Sequence, residues 1–341
     1  MRLLVTGGLG FIGSNFVRYR LSRDKKDSIV NLDLNTYAGN PANLEGMEGR
    51  SRHRWVRGDI ADPKVVGRCM KGVDAVVHFA AETHVDRSIL DAAAFLRTNV
   101  AGTQVLLDAA LRHGVRRFVH VSTDEVYGSV SRGRSREGDR LLPNSPYAAS
   151  KAASDLLVRA YRVTHGLPVV VTRASNNFGP YQYPEKALPL MITNWLEGEP
   201  FPLYGDGLNV RDWIHVIDHV RAIDLVLRRG VAGEIYNVGG AFSSTNRELV
   251  ERVRRLMGVP KSLVRRVSDR PGHDRRYALD CRKLRALGWR HSVPFNEALA
   301  RTIAWYRENS SWWRGLKSKG QYRKYYRKQY KKLSAGKVRR A

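Results

Sequence analysis

Cysteine is scarce in this chain: 341 residues carry two, Cys69 and Cys281, far apart and with no C-x-x-C pair. That excludes a disulfide-stapled secreted scaffold and a cysteine-rich metal centre, and it fits reduced thiols in a cytoplasmic protein that holds no metal. No apolar run approaches the ~18 residues of a membrane span, and MRLLVTGG reaches glycine too soon for a signal-peptide core. Gly/Ser-rich linkers and internal repeats are missing too. Acid is absent from the end: residues 310–341 hold twelve Lys/Arg and no Asp or Glu, which leaves +15 of the net +27 on the body. Such a balance suits an anionic small substrate, a polyanion or a merely arginine-rich composition, and the total does not choose among them.

What is present is a rhythm. Short β-prone apolar runs at Arg2–Thr6, Ser28–Asp33, Arg54–Gly58, Asp74–Phe79, Arg116–Ser122 and Pro168–Thr172 alternate with helix-period stretches at Phe11–Leu21, Pro63–Met70, Ala92–Arg112 and Tyr147–His165. Such alternation predicts βαβ units and a parallel sheet buried on both faces, hence an α/β, Rossmann-type doubly wound fold. After Phe178 prolines become frequent and strands shorten, with helices expected at His215–Arg228, Asn246–Met257 and Phe295–Glu308. The expected organisation is a Rossmann domain over 1–177, a smaller interleaved substrate lobe over 178–309 and a basic aromatic tail over 310–341.

TGGLGFIGS places Gly7, Gly10 and Gly13 between the first strand and the first helix. Glycines there make the tight turn, let the backbone approach a pyrophosphate and pack helix on strand, while the helix N-terminus offers N–H groups to phosphate. Asp33 ends the second strand, where a carboxylate accepts from ribose hydroxyls and repels a 2′-phosphate, so NAD is favoured over NADP. Asp59, in GDI, is a candidate acceptor for the adenine amino group. In SPYAASK, Tyr147 and Lys151 stand four apart on one helix face. An ammonium there is expected to lower the phenol pKa, so that tyrosine takes a hydroxyl proton as hydride leaves for nicotinamide. VSTDEVYG then sets two carboxylates side by side, Asp124 and Glu125, which a strand end has no need of.

The ordered set TGGLGFIGS, TYAGN, HFAAETHVDRS, STDEVYG, SPYAASK, SNNFGPYQYPEKALPL, YGDGLNVRDW, YNVGG, DRPGHD and LGW resembles the dTDP-glucose 4,6-dehydratases of the extended short-chain dehydrogenase/reductase family, from Met1 to about Trp313. The resemblance implies an NAD-dependent hydro-lyase. Tyr147, supported by Lys151 and Thr123, would deprotonate the glucose 4-hydroxyl during oxidation. Glu125 would take the carbon 5 proton, Asp124 would protonate the departing 6-hydroxyl, and hydride would return to carbon 6. It further implies cofactor contacts from Phe11, Ile12, Asp33, Asp59, Ile60, Asn99 and Asn177, and substrate contacts from His84, Asn176, Lys186, Arg211, Asn237, Arg270 and His273. A homodimer through the helices near Ala92–Arg112 and Tyr147–His165 is a family expectation as well. Thr83 and Ala174 depart from the common serine and cysteine, and the short, arginine-bearing segment 129–144 is nearer the enzymes of antibiotic-sugar pathways.

Alternatives stay open on sequence alone: a UDP-, GDP- or CDP-sugar dehydratase, a nucleotide-sugar epimerase or decarboxylase, or an idle NAD-sensing or nucleic-acid-binding protein. The adjacent acids argue against the epimerases, and the full Thr–Asp–Glu–Tyr–Lys set argues against an idle protein. The tail interleaves Trp312, Trp313, Tyr322, Tyr325, Tyr326 and Tyr330 with cations, a pattern that can bind single-stranded nucleic acid. A solvated or loosely packed segment is the favoured expectation there.

Overall fold

The computed structural model describes residues 1–47, 51–240 and 242–335, with side chains of the last helix described as far as Tyr330. The first half runs β1 (Arg2–Thr6), α1 (Phe11–Arg23), β2 (Ser28–Asp33), β3 (His53–Arg57), α2 (Pro63–Met70), β4 (Ala75–His78), α3 (Val85–Leu90), α4 (Ala93–Phe95), a π-helical segment (Leu96–Ala101), α5 (Gly102–Arg112), β5 (Arg117–Thr123), α6 (Pro146–His165) and β6 (Val169–Ala174). The second half adds β7 (Asn176–Phe178), α7 (Ala187–Leu196), β8 (Phe201–Tyr204), β9 (Val210–His215), α8 (Val216–Arg229), β10 (Ile235–Val238), β11 (Phe242–Thr245), α9 (Asn246–Met257), β12 (Val264–Val267), α10 (Arg282–Ala286), α11 (Phe295–Glu308), α12 (Ser310–Ser318) and α13 (Gly320–Ala335).

Seven parallel strands form the main sheet in the order β10-β6-β5-β4-β1-β2-β3. Strands β1, β4 and β6 are buried along nearly their whole length, as expected of a sheet covered on both faces. The strand order reverses between β1 and β4, so the crevice that admits a dinucleotide opens there, at the carboxyl ends of the strands. The seventh strand was not anticipated: β10 is only IYNV, too short to show a period, and it pairs with β6 across a long stretch of intervening chain. Helix α8 packs on α1, and the Arg20 guanidinium is buried between Asp27 and Asp224, joining the two halves.

The long helix expected over Ala92–Arg112 is broken by the π segment, which carries Thr98 and Asn99. The tail departs further from expectation. It folds into α12 and α13, with Trp313 only 1% exposed and Leu316, Tyr322 and Tyr325 buried. Its aromatics recur at helical spacing and turn onto the second lobe, while Arg323, Lys324, Arg327 and Lys328 face solvent. The rings are therefore packed and not free to stack on bases.

Candidate active site

A cavity of about 330 Å³ runs from the β1–α1 turn to the end of β5 and the start of α6. At one end Gly7 has φ +74°, and a Cβ there would sit 2.5 Å from the Ala80 backbone nitrogen, across the switch point. Gly10 caps α1 without any side-chain hydrogen bond, and Phe11, Ile12 and Gly13 line the cavity. Asp33 lines it too, each of its carboxylate oxygens accepting one backbone N–H, from Leu9 (2.9 Å) and Asn35 (2.8 Å). Asp59 and Ile60 form the next wall, Asp59 pairing with Arg97. A side-chain-free helix N-terminus behind a glycine cradle, flanked by an acid at the end of β2, fits an NAD pyrophosphate and ribose.

At the other end β5 stops at Thr123, whose hydroxyl accepts from the Glu125 N–H (3.2 Å) and starts a 3-10 turn over Asp124–Tyr127. The turn ends on Gly128, with φ +71° and a notional Cβ 2.1 Å from the Leu142 carbonyl oxygen, so only glycine passes there. This turn sets the two acids in different surroundings. Asp124 is buried with one carboxyl oxygen lacking a partner, and burial, then Glu125, then Asp212 push its pKa well above the usual range. Burial raises Glu125 as well, but Arg270, Lys186 and Arg211 oppose the rise. One carboxyl is thus held protonated while its neighbour faces three cations.

Helix α6 carries the remaining pair. Ser145 caps it, accepting from the Ala148 N–H (3.1 Å), Pro146 fills the first turn and Gly166 closes it in left-handed conformation. Tyr147 and Lys151 both face the cavity, and the Tyr147 hydroxyl hydrogen-bonds with Thr123. The expected lowering of the phenol pKa is overturned. Burial, followed by the Glu125 charge, raises it, and Lys151 is not among its main causes. The Lys151 ammonium instead donates to the Val121 carbonyl (2.9 Å), and burial brings its own pKa down to about 8 against the pull of Asp155.

The substrate candidates divide. Asn176, Asn177 and Lys186 line the cavity, Lys186 donating to the Thr83 carbonyl (2.8 Å). Asn177 is also tied to Ser175 and His219. Arg211 stacks over Tyr277 (4.3 Å) and donates to the Asp274 carbonyl, so it is not the local partner of Asp212, which accepts from the Gly240 N–H. Arg270 pairs with Asp86 (2.9 Å) and keeps a buried Nε without a partner. His273 pairs with Asp269 beside Tyr204, and His84 lies under Tyr325. Two asparagines have their amides engaged within the fold. Asn99 spends its amide on Glu82 and Ser150, leaving Thr98 on the cavity wall. Asn237 is wholly buried and holds Tyr127, Ser135 and Asp280. Glu82, Glu185 and Gln182, which sequence reasoning missed, do line the cavity. All three lie inside the quoted motifs, which gave no sign of which side chains turn inward.

Comparison with known proteins agrees with this geometry. Residues 4–302 match the family described as GDP-mannose 4,6 dehydratase. The dTDP-glucose 4,6-dehydratase of Streptomyces niveus is 54% identical over 323 residues, covering 93% of this chain and 96% of that protein. The solved DesIV, a dTDP-glucose 4,6-dehydratase from Streptomyces venezuelae with NAD bound, has 56% identity and a TM-score of 0.91, covering 93% of this chain and 100% of that one. The UDP-glucose 4-epimerase of Thermus thermophilus, in complex with NAD, has 33% identity and a TM-score of 0.83 over 91% of this chain and 100% of its own. The chain belongs to the dTDP-glucose 4,6-dehydratases, within the short-chain dehydrogenase/reductase family.

Proposed function

We propose that this protein dehydrates dTDP-glucose to dTDP-4-keto-6-deoxyglucose with NAD as a retained cofactor. The carrying observation is the unequal pair Asp124 and Glu125 beside Tyr147: an epimerase has no use for a held proton next to a base. When bound, NAD⁺ supplies a hydride acceptor for carbon 4, a hydride source for carbon 6 and a positive ring charge that favours the Tyr147 phenolate. Tyr147 takes the proton of the 4-hydroxyl, with Thr123 orienting the phenol. The resulting ketone acidifies carbon 5, and Glu125 removes that proton. Asp124 gives its proton to the 6-hydroxyl, which leaves as water. Glu125 then returns its proton to carbon 5, and the proton left on Tyr147 balances the one Asp124 lost. Arg211 and Arg270 meet the diphosphate, Arg270 through its unused Nε.

The decisive measurement is mass analysis of the purified protein incubated with dTDP-, UDP-, GDP- and CDP-glucose, with no added reductant. Loss of one water from dTDP-glucose is expected, and no loss from any of the four would overturn the reading. The Streptomyces relatives and the short 129–144 segment support a place in antibiotic deoxysugar biosynthesis. Two buried, unpaired cysteines suit the cytoplasm, and no helix among the described residues is long and apolar enough to cross a membrane.

A homodimer through α5 and α6 is part of the same proposal. Leu156 (58% exposed), Ala160 and Val163 (70%) make an apolar stripe on α6, and Leu96 (55%) and Leu111 stand out from the neighbouring helices. Such a stripe stabilises a protein when a second copy covers it. Leu156→Glu with Val163→Glu is expected to give a monomer by light scattering, where the native chain gives a dimer. A dimer in both would refute this interface.

A further inference from the structure

DesIV is covered whole by 93% of this chain, and α13 is packed against the motif that walls the substrate end. Tyr325 lies over the Arg87 guanidinium at 4.1 Å, with Tyr37 also against it at 3.9 Å. Arg87 is paired with Glu185 (2.9 Å), which lines the cavity next to Lys186. The same Tyr325 ring meets His84 edge-on at 5.4 Å. One turn on, Gln329 donates to the Tyr204 hydroxyl (3.1 Å), and Tyr330 packs on the Tyr204 ring. Tyr204 donates to Asp86 (3.0 Å), and Asp86 holds Arg270 (2.9 Å). Both routes start on α13 and end at a charged group beside Glu125 or on the cavity wall.

Resting on the dehydratase reading, we propose that α13 is a strap and that Tyr325 and Gln329 are positioning residues, which hold the Arg87–Glu185 pair at the cavity wall and Arg270 in the geometry that receives the nucleotide diphosphate. Neither side chain lines the cavity, so their place is in binding and not in the chemical steps. The contact at Arg87 is through the ring of Tyr325; its hydroxyl is 3.5 Å from His84 and adds little.

The test uses full-length variants and two readouts, steady-state kinetics with dTDP-glucose and calorimetric binding of dTDP. Tyr325→Ala is expected to raise KM and the dTDP Kd about tenfold with kcat within about twofold, whereas Tyr325→Phe restores the native values. Gln329→Leu, which keeps the side-chain volume, is expected to raise both constants about threefold; it decides the matter if Tyr325→Ala fails to fold. Native KM and Kd in Gln329→Leu and in a folded Tyr325→Ala would overturn the strap, as would a loss of kcat with KM unchanged. A native enzyme that binds dTDP but leaves dTDP-glucose unchanged overturns the functional reading alone.

Discussion

Glu125→Gln is expected to lose dehydration by about 10³-fold while oxidation at carbon 4 continues. The amide keeps the shape and the hydrogen bond from its backbone N–H to Thr123, so the 3-10 turn should persist. What disappears is the carboxylate whose charge is favoured by Arg270, Lys186 and Arg211 together. In deuterated water the native enzyme is expected to place deuterium at carbon 5 of the product, once the proton held by Glu125 exchanges with solvent; the variant should show the near-ultraviolet absorbance of reduced nicotinamide and no such label. Normal turnover would remove Glu125 as the base. The pH dependence follows from the same shifts. Activity rises with pH as Glu125 ionises, along a limb displaced upward from the ordinary glutamate value, and falls again as Asp124 gives up its proton. That acid limb belongs to elimination, so the carbon 4 oxidation left in Glu125→Gln should not show it.

Asp124→Asn should separate function from stability. Turnover is expected to fall by about 10²- to 10⁴-fold, since no proton is supplied to the leaving hydroxyl. Thermal unfolding at neutral pH should nevertheless shift upward. The folded protein holds the Asp124 proton more tightly than the unfolded chain, whose value is near 3.8. This group's contribution to stability is therefore complete below that pH and is lost as pH rises towards the folded value. Asparagine carries no such proton, so the variant escapes the loss. A melting temperature equal to or below the native one, measured by calorimetry across the pH range, would mean that Asp124 is not held neutral.

Much of this site is legible in the chain because the chemistry is local. Gly7, Gly10 and Gly13 follow a strand directly, Tyr147 and Lys151 lie one turn apart, and Asp124 and Glu125 are neighbours, so each set is placed by its own element. What was not legible depends on distant partners. Asn99 and Asn237 stand in motifs that suggest ligand contact, but a buried amide goes wherever unmet hydrogen bonds remain, here Glu82 and Tyr127. The phenol pKa of Tyr147 is set by how much water the fold removes, which spacing does not report. Strand β10 has four residues and is recognisable only once β6 offers it an edge. The tail reads as polar by composition, and its buried face emerges only when the tyrosines are counted at helical intervals.

The pairing of β10 with β6 has a consequence for how the chain is made. The sheet that binds the cofactor is finished by residues translated long after its first six strands. Until Ile235–Val238 arrive, β6 presents an open row of N–H and C=O groups, and α1 lacks the α8 face that covers it. A nascent chain stalled before that point carries a sticky edge and a buried-to-be cation, Arg20, whose partner Asp224 has yet to appear. The cofactor half is therefore not a detachable module to be fused or swapped at residue 177. Its sheet is completed only together with the second half of the chain.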